Sequence, residues 1–265
     1  MKNVVVVIMA GGLGKRMEST LPKVLHKVAG IPMICHLLIK LKVLQNIINI
    51  QKIIIIVGKH KDIIKSELDK YEYLPKVEYV LKDEPLGTGH AVTCCINELN
   101  EFPDSDVLIL SGDVPLLSTQ TMNNLINMDE HVRIIVTSLE NPTGYGRIIQ
   151  IDNKFDKIVE QKDCNKMESQ VKQVNCGIYV IKSKYLCKYL PYLKNENSQH
   201  EYYLTDIIEI IKREVKIDIG MLKIPEVNNY EIIGVNTIDQ LNELEKLIIK
   251  NKIEIVKSDE EESIK

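Results

Sequence analysis

No apolar run in the chain comes near the ~20 residues a membrane span requires, so the sequence offers no candidate spanning helix. The 6 cysteines, Cys35, Cys94, Cys95, Cys164, Cys176 and Cys187, include no C-x-x-C pair. Neither a zinc site nor a disulfide framework follows from that scatter. Positive charge is not in excess, because 34 Lys and Arg stand against 37 Asp and Glu for a net charge of −3, and electrostatics therefore make no case for nucleic-acid binding. An apolar strand pattern begins at Val4, which leaves no room for a charged n-region, an apolar h-region and a cleavage site. These absences lead us to expect a soluble, cytoplasmic protein with neither nucleic acid nor membrane as partner. Tryptophan is also missing, and Ile, Lys and Asn are abundant. That bias carries no functional reading.

At 265 residues the chain suits one large α/β domain or a core with a smaller lobe. Val4 to Ile8 is an unbroken β-branched run, the pattern of a strand buried on both faces of a parallel sheet. Directly after it comes M-A-G-G-L-G-K-R-M-E-S-T-L-P-K-V-L-H-K, Met9 to Lys27. Gly11, Gly12 and Gly14 remove the Cβ atoms that would block positive φ and close approach of a ligand. Lys15, Arg16, Lys23 and Lys27 place four cations within thirteen residues. Bare backbone amides beside fixed cations suit a polyphosphate. The spacing matches neither a dinucleotide loop, since Met17 stands where a third glycine would fall, nor a Walker loop, since Gly-Lys-Ser/Thr is absent.

Further along, the periodicity predicts a helix over 32–48 with Ile34, Leu37, Leu38, Leu41 and Leu44 on one side, a strand at 53–57 and a helix over 61–71. Strands at 77–81 and 107–110 lead into Leu86-Gly87-Thr88-Gly89 and Ser111-Gly112-Asp113. Alternation of strand and helix is the doubly wound pattern, and ligands of such sheets gather outside the strands' carboxyl ends. Three glycine-bearing loops are thus expected on one rim. From Val132 shorter strand-like runs appear at 132–138, 147–151 and 173–181, then helices over 202–213 and 238–250. This reads as sheet extension with an inserted lobe. Ser258 to Glu262 reads as a frayed acidic tail.

Taken in order, M-A-G-G-L-G-K-R-M, L-P-K-V-L-H, L-G-T-G-H-A, S-G-D-V-P-L, P-T-G-Y-G-R-I, V-E-Q-K-D, V-N-C-G-I-Y, E-Y-Y-L-T-D and G-V-N-T resemble the amino-terminal pyrophosphorylase domain of the N-acetylglucosamine-1-phosphate uridyltransferase family. The matches run from Met9 to about Asn236. The resemblance implies a Rossmann-like nucleotidyltransferase fold: a mixed, mostly parallel sheet with helices on both faces and a small sugar-binding lobe. It also implies that UMP passes from UTP to a sugar 1-phosphate, N-acetylglucosamine 1-phosphate, with Mg²⁺ and release of pyrophosphate. One domain is expected over 1–252, with a nucleotide-binding region over 1–131, a sugar-binding region over 132–236 and a carboxyl-terminal helix over 237–252, followed by a flexible tail at 253–265. Bacterial members of the family continue into an acetyltransferase β-helix that builds a trimer. This chain stops one helix past Asn236, and a single-activity uridyltransferase without that trimer is expected.

Arg16 and Lys23 are the residues expected to stabilise the departing pyrophosphate. Ala10, Gly11, Gly12 and Gly14 fall in the family's phosphate loop, and Gly87 and Thr88 in its base-reading loop. The family has Gln where this chain has Lys82, and an amide both donates and accepts toward uracil whereas an ammonium only donates. The Ala-Gly-Gly start of the first loop is likewise common among related hexose-1-phosphate nucleotidyltransferases. Another sugar or base therefore stays open, as does a non-catalytic nucleotide-sugar sensor. Asp113 either shapes a turn before Pro115 or holds a cation, and the resemblance pairs it with Asn236 as Mg²⁺ ligands. Gly146, Glu160 and Asn175 fall at the family's sugar contacts, although Glu160 taken alone also reads as a solvated carboxylate at a strand end. Tyr202 and Tyr203 read equally as sugar-pocket wall or as core, and His90 as a helix-start or packing residue.

Overall fold

A computed structural model describes residues 1–12, 14–17, 19–82 and 84–251, apart from the side chains of Lys15, Lys250 and Asn251. The expected tail and the Lys15 cation lie outside the described residues and side chains. Strand β1 (Asn3–Met9) is followed by a short hairpin, β2 (Lys27–Val28) and β3 (Ile31–Pro32). Helix α1 (Met33–Leu44), β4 (Asn49–Val57), α2 (Lys61–Leu68), β5 (Glu78–Leu81), α3 (Thr88–Thr93), α4 (Ile96–Asn100) and β6 (Asp106–Ser111) complete the first half. The second half holds α5 (Thr119–Asn127), β7 (Val132–Ser138), β8 (Arg147–Ile151), β9 (Lys154–Val159), β10 (Gln173–Lys182), α6 (Ser183–Tyr189), α7 (Leu204–Val215), β11 (Gly220–Lys223) and α8 (Ile238–Asn251).

One sheet runs in the order β11-β7-β10-β6-β1-β4-β5, and the β8–β9 hairpin hangs from β10. β1 pairs in parallel with both β4 and β6, and β5 extends the parallel set from β4. β10 alone in that row runs against its neighbours, pairing antiparallel with β6 and β7. The sheet is thus mixed and mostly parallel, as expected. The amino end of β10 consequently lies on the same rim as the carboxyl ends of β1, β4, β5 and β6.

The β-branched run of β1 buries both its faces. Val4, Val6 and Ile8 pack under α1 and α5, whereas Val5 and Val7 pack with residues of α3, α6 and α7. Helix α1 buries all five apolar residues of the expected stripe. A third cluster, Met17, Val28, Met33, Leu116, Val235, Leu244 and Ile248, seats α8 against the segment that follows the first loop. None of the helices among the described residues is long and apolar enough to cross a membrane.

Boundaries shift where apolar periodicity misleads. Helix α1 stops at Leu44, because Asn46 N–H turns to the Val43 carbonyl and Ile47 N–H to that of Leu44, three residues back. Helix α2 stops at Leu68 for the same reason, with Lys70 bonded to Glu67. Strand β4 begins at Asn49, four residues earlier than expected, since its polar first residues sit at the exposed lower edge of the sheet. Helices α3, α4, α5 and α6 and strands β9 and β11 are additional to those expected. Helix α5, for example, carries only Met122, Leu125 and Ile126 as buried residues among polar ones.

The lower edge holds a buried ion network. Arg133 Nη2 meets Asp106 Oδ1 at 2.5 Å with both side chains 1% exposed, and Lys182 approaches the same oxygen at 3.0 Å. Arg133 and Lys2 also donate to the Ile126 and Met128 carbonyls at the end of α5. Removing one partner of such a pair strands the other charge. Asp106→Ala is expected to lower stability by about 3–5 kcal/mol, read as a shift of the urea midpoint at unchanged slope. A midpoint equal to that of the wild type would show the network to be dispensable.

Candidate active site

Beyond β1 the backbone crosses the sheet edge under close constraint. Ala10 N–H bonds to Ile56 O at 2.8 Å, and Gly112 N–H bonds to Met9 O at 3.0 Å. The loop is thereby held between the ends of β4 and β6. Gly14 sits at φ +59°, where a side chain is strained, and a Cβ there would lie 3.1 Å from Lys23 Cβ. A Cβ on Gly12 would meet nothing, so its backbone faces open space.

Lys23 folds back from the loop onto the end of β6. Its ammonium forms a half-buried ion pair with Asp113 Oδ2 and a 3.1 Å bond to Asn236 Oδ1. Arg16 Nη2 reaches the same Asn236 oxygen at 3.2 Å. Asp113 is 8% exposed, and its other oxygen accepts from Ser111 Oγ at 2.6 Å. Asp113 does stand in a turn, closed by Val114 N–H on Ser111 O at 3.2 Å, and its carboxylate is also held by a hydroxyl and the Lys23 ammonium. Asn236 is oriented through its own N–H, which donates to Gln240 Oε1 at 2.7 Å. Val235 N–H bonds to the Asp113 carbonyl at 2.9 Å, joining the two segments.

Two cavities open here. The smaller, about 170 Å³, is lined by Ala10, Gly11, Gly12, Lys23, Lys82, Thr88 and Asp113 among others. The larger, about 350 Å³, holds Arg16, Thr88, Asp113, Gly146, Glu160, Asn175 and Asn236. They share Met9, Thr88, Ser111 and Asp113. Of the residues expected for phosphate and base, Ala10, Gly11, Gly12, Lys23, Lys82 and Thr88 line the smaller cavity, Arg16 lines the larger, and Gly14 and Gly87 are in neither lining. The three expected for sugar line the larger; of the expected metal ligands, Asp113 borders both and Asn236 the larger alone.

Lys82 Nζ donates to Gly87 O at 2.9 Å, and burial lowers its ammonium pKa. Gly87 has φ +109°, and a Cβ on it would stand 2.6 Å from Tyr202 O. Gly89 N–H bonds to that same oxygen at 2.7 Å, and Leu204 N–H bonds to Thr88 Oγ1 at 3.1 Å. The glycine loop is therefore stitched to the segment entering α7. His90 belongs to the first turn of α3, its ring 6.4 Å from that of Tyr202, as a packing residue would be.

At the sugar side, Asn175 N–H bonds to Gly146 O at 2.9 Å. A Cβ on Gly146 would lie 3.5 Å from both Glu160 carboxylate oxygens and 3.0 Å from Ile158. Glu160 accepts from Thr205 Oγ1 at 3.0 Å, and burial raises its carboxyl pKa. It is not the free strand-end carboxylate that its sequence position also allowed. Tyr202 and Tyr203 do not line the larger cavity; Leu204 and Thr205 from the same motif do. Helix α7 begins at Leu204 rather than at 202, so the two tyrosines precede it and pack elsewhere, Tyr203 receiving a bond from Gln199 at 2.8 Å. Cys176 lines the cavity too, but burial pushes its thiol pKa up, which suppresses the thiolate a nucleophile needs. Sequence reasoning missed Ser111, Thr205, Tyr179 and Gln240. Ser111, Thr205 and Tyr179 stand inside three of the nine motifs, whereas Gln240 meets Asn236 only through the entry to α8.

An open, mostly parallel sheet with ligand loops on one rim is the fold seen in two solved structures. One is assigned as a glucose-1-phosphate thymidylyltransferase from Bacillus anthracis, with TM-score 0.69 and 23% identity over 92% of this chain and 94% of that one. The other is the inositol-1-phosphate CTP transferase from T. maritima, with TM-score 0.65 and 15% identity over 96% and 98%. These likenesses define the class, a nucleotidyltransferase fold of the Rossmann-like kind. The chain belongs to the nucleotidyl transferase family, whose model matches residues 5–224. It is 41% identical over 247 residues to a protein assigned as UDP-N-acetylglucosamine pyrophosphorylase in Acanthamoeba polyphaga mimivirus, covering 91% of this chain and 95% of that one. It is 40% identical over 244 residues to the bifunctional protein GlmU of Saccharophagus degradans and 38% over 251 to that of Clostridium perfringens. The chain spans about half the length of these GlmU proteins, 51% and 52%. The resemblance carried by the nine motifs is borne out.

Burial raises the Asp206 carboxyl to about 6, with the Glu160, Glu209 and Asp163 carboxylates adding to the effect. A carboxyl that ionises later in the folded state binds more protons there, so its contribution to stability falls as pH rises from about 4 through about 6. Asp206→Asn removes that titration. The thermal midpoint of the variant relative to wild type is expected to rise between pH 4.5 and pH 7.5, and a constant difference would contradict the assignment.

Proposed function

We propose that the protein transfers UMP from UTP to N-acetylglucosamine 1-phosphate, giving UDP-N-acetylglucosamine and pyrophosphate in a Mg²⁺-dependent reaction. The observation that carries this reading is the meeting of two chambers at Asp113 and Thr88, one floored by the glycine loop and one by Gly146, Glu160 and Asn175. A triphosphate in the first and a sugar phosphate in the second bring their phosphates to one cluster of charge. The name of the mimivirus relative, a UDP-N-acetylglucosamine pyrophosphorylase, supports the base and the sugar.

In this reaction a phosphate oxygen of the sugar 1-phosphate attacks the α-phosphorus of UTP. The bond to the bridging oxygen breaks, and its electron pair leaves with pyrophosphate. Both reactants are anions, so alignment and charge neutralisation supply most of the catalysis. Arg16 and Lys23 balance the charge growing on pyrophosphate, and the amides of the glycine loop cradle its outer oxygens. To do so Lys23 exchanges Asp113 for phosphate. Asp113 and Asn236 fit a small hard cation, because one carboxylate and one carboxamide oxygen already converge on a single positive group, the Lys23 ammonium. Mg²⁺ usually takes one or two protein oxygens and completes its shell with phosphate and water. Bound there, it would neutralise phosphate oxygens and hold both reactants in register.

Lys82 spends one N–H on Gly87 O and keeps two more. An ammonium cannot accept a bond, so it favours a base that presents carbonyl oxygens, as uracil does, over one that presents an amino group at that edge.

Purified protein with Mg²⁺ and each of four nucleoside triphosphates, set against N-acetylglucosamine, glucose and galactose 1-phosphates, is expected to release pyrophosphate fastest with UTP and N-acetylglucosamine 1-phosphate. Asp113→Ala should lower kcat at least about 100-fold. Equal turnover of glucose 1-phosphate would refute the sugar assignment, and wild-type rates in the Ala variant would refute the metal assignment.

A further inference from the structure

Residues four apart in a regular strand are separated by about 13 Å, at a rise of ~3.3 Å per residue. Asn175 and Tyr179 of β10 nevertheless touch, for Asn175 Nδ2 donates to the Tyr179 hydroxyl at 2.7 Å with both groups buried. The register against β7 explains how. Asn175 faces Val136 and Tyr179 faces Ile134, so four steps along β10 span two along its partner. Gly177, at φ +71°, takes up the excess chain. Such a bulge re-aims side chains at a strand's end, and here both residues line the larger cavity.

The bonding of this pair leaves donors unspent. The Asn175 carboxamide oxygen accepts from Gly177 N–H at 3.2 Å, which fixes which end of the amide is which. One Nδ2 hydrogen is committed to Tyr179, and the second is free. The Tyr179 hydroxyl accepts from Asn175, and its own proton meets no acceptor among the described residues. A phenol can donate and accept at once, and a buried donor left without a partner is costly. Burial and the nearby Glu160 carboxylate also push the phenol pKa up, so the proton stays in place.

We infer that Tyr179 is a sugar-selecting residue, which orients the Asn175 carboxamide and donates its own hydroxyl proton to an acceptor oxygen on the sugar's substituent. The inference rests on the sugar reading of the larger chamber. Two donors on one wall suit a carbonyl oxygen, which accepts twice and donates nothing, as in an acetamido group. A hydroxyl in that place also brings a proton that this pair of donors does not receive. Discrimination of an acetamido sugar from its hydroxyl analogue follows.

Tyr179→Phe keeps the ring and removes the hydroxyl. The KM for N-acetylglucosamine 1-phosphate is expected to rise about tenfold, with the KM for UTP unchanged, and the kcat/KM preference over glucose 1-phosphate should narrow by a similar factor. Combined with Asn175→Ala, the loss should be smaller than the product of the single losses. Unchanged sugar KM and unchanged preference in Y179F would overturn the inference and leave Tyr179 as core packing. A crystal of the wild type soaked with N-acetylglucosamine 1-phosphate gives a test that no folding defect can confuse. The Tyr179 hydroxyl within about 3.2 Å of a sugar oxygen upholds the inference, and no sugar atom within that reach overturns it. Should the wild type turn over a different sugar 1-phosphate instead, the substrate reading fails separately. The KM of Y179F for that sugar then decides the role of Tyr179, with a rise upholding it and no change overturning it.

Discussion

A carboxylate at the end of a fully buried strand is stable only when its lost hydration is replaced, and Asp113 meets that demand with the Ser111 hydroxyl on one oxygen and the Lys23 ammonium on the other. Lys23 belongs to the segment after the first glycine loop, and Asn236, which shares the ammonium, belongs to the run just before α8. Three stretches far apart in the chain are therefore held at one point by one electrostatic requirement. Arg16 joins through the same Asn236 oxygen. The cluster is compact in charge and lies at the boundary of two cavities.

Around that point the sheet supplies position. β1, β4, β5 and β6 run in parallel and deliver their loops to one rim, while β10 arrives at the same rim with its amino end. The reversal of β10 brings Asn175 opposite the glycine loop instead of to the far edge. The Gly146 carbonyl then bonds to Asn175 N–H, and Glu160 closes the chamber from the end of the β8–β9 hairpin. On the other side, Gly87 and Gly89 let Tyr202 approach closely, and a Cβ at either would collide with its carbonyl oxygen. The loop of Gly87 and Gly89 and the entry to α7 are in this way a single packed unit, and Thr205 reaches Glu160 from it.

Strong local signals reported themselves in the sequence. The β-branched run of β1, the apolar stripe of α1 and the bare glycine loop each follow from side-chain chemistry over a few neighbouring residues, and each stands in the structure where periodicity predicts it. Helix α5 was invisible because its three buried residues are spaced among polar ones, and β11 because four residues carry too little pattern. The tyrosines before α7 read equally as pocket wall or as core, and the helix start at Leu204 decides it, with Leu204 and Thr205 lining the cavity and Tyr203 buried.

What the sequence by itself determined was the inventory: an open α/β sheet, a cationic glycine loop, and a set of polar residues in nine ordered motifs. These depend on composition and local spacing, which a linear chain displays directly. Tertiary structure alone decided that Lys23 and Asn236, 213 residues apart, share one ammonium contact, and that Thr205 rather than Tyr202 faces Glu160. It also decided that a bulge folds Tyr179 back onto Asn175. Such relations come from strand direction, register and the desolvation of buried charge, which are properties of the packed chain that no local pattern encodes.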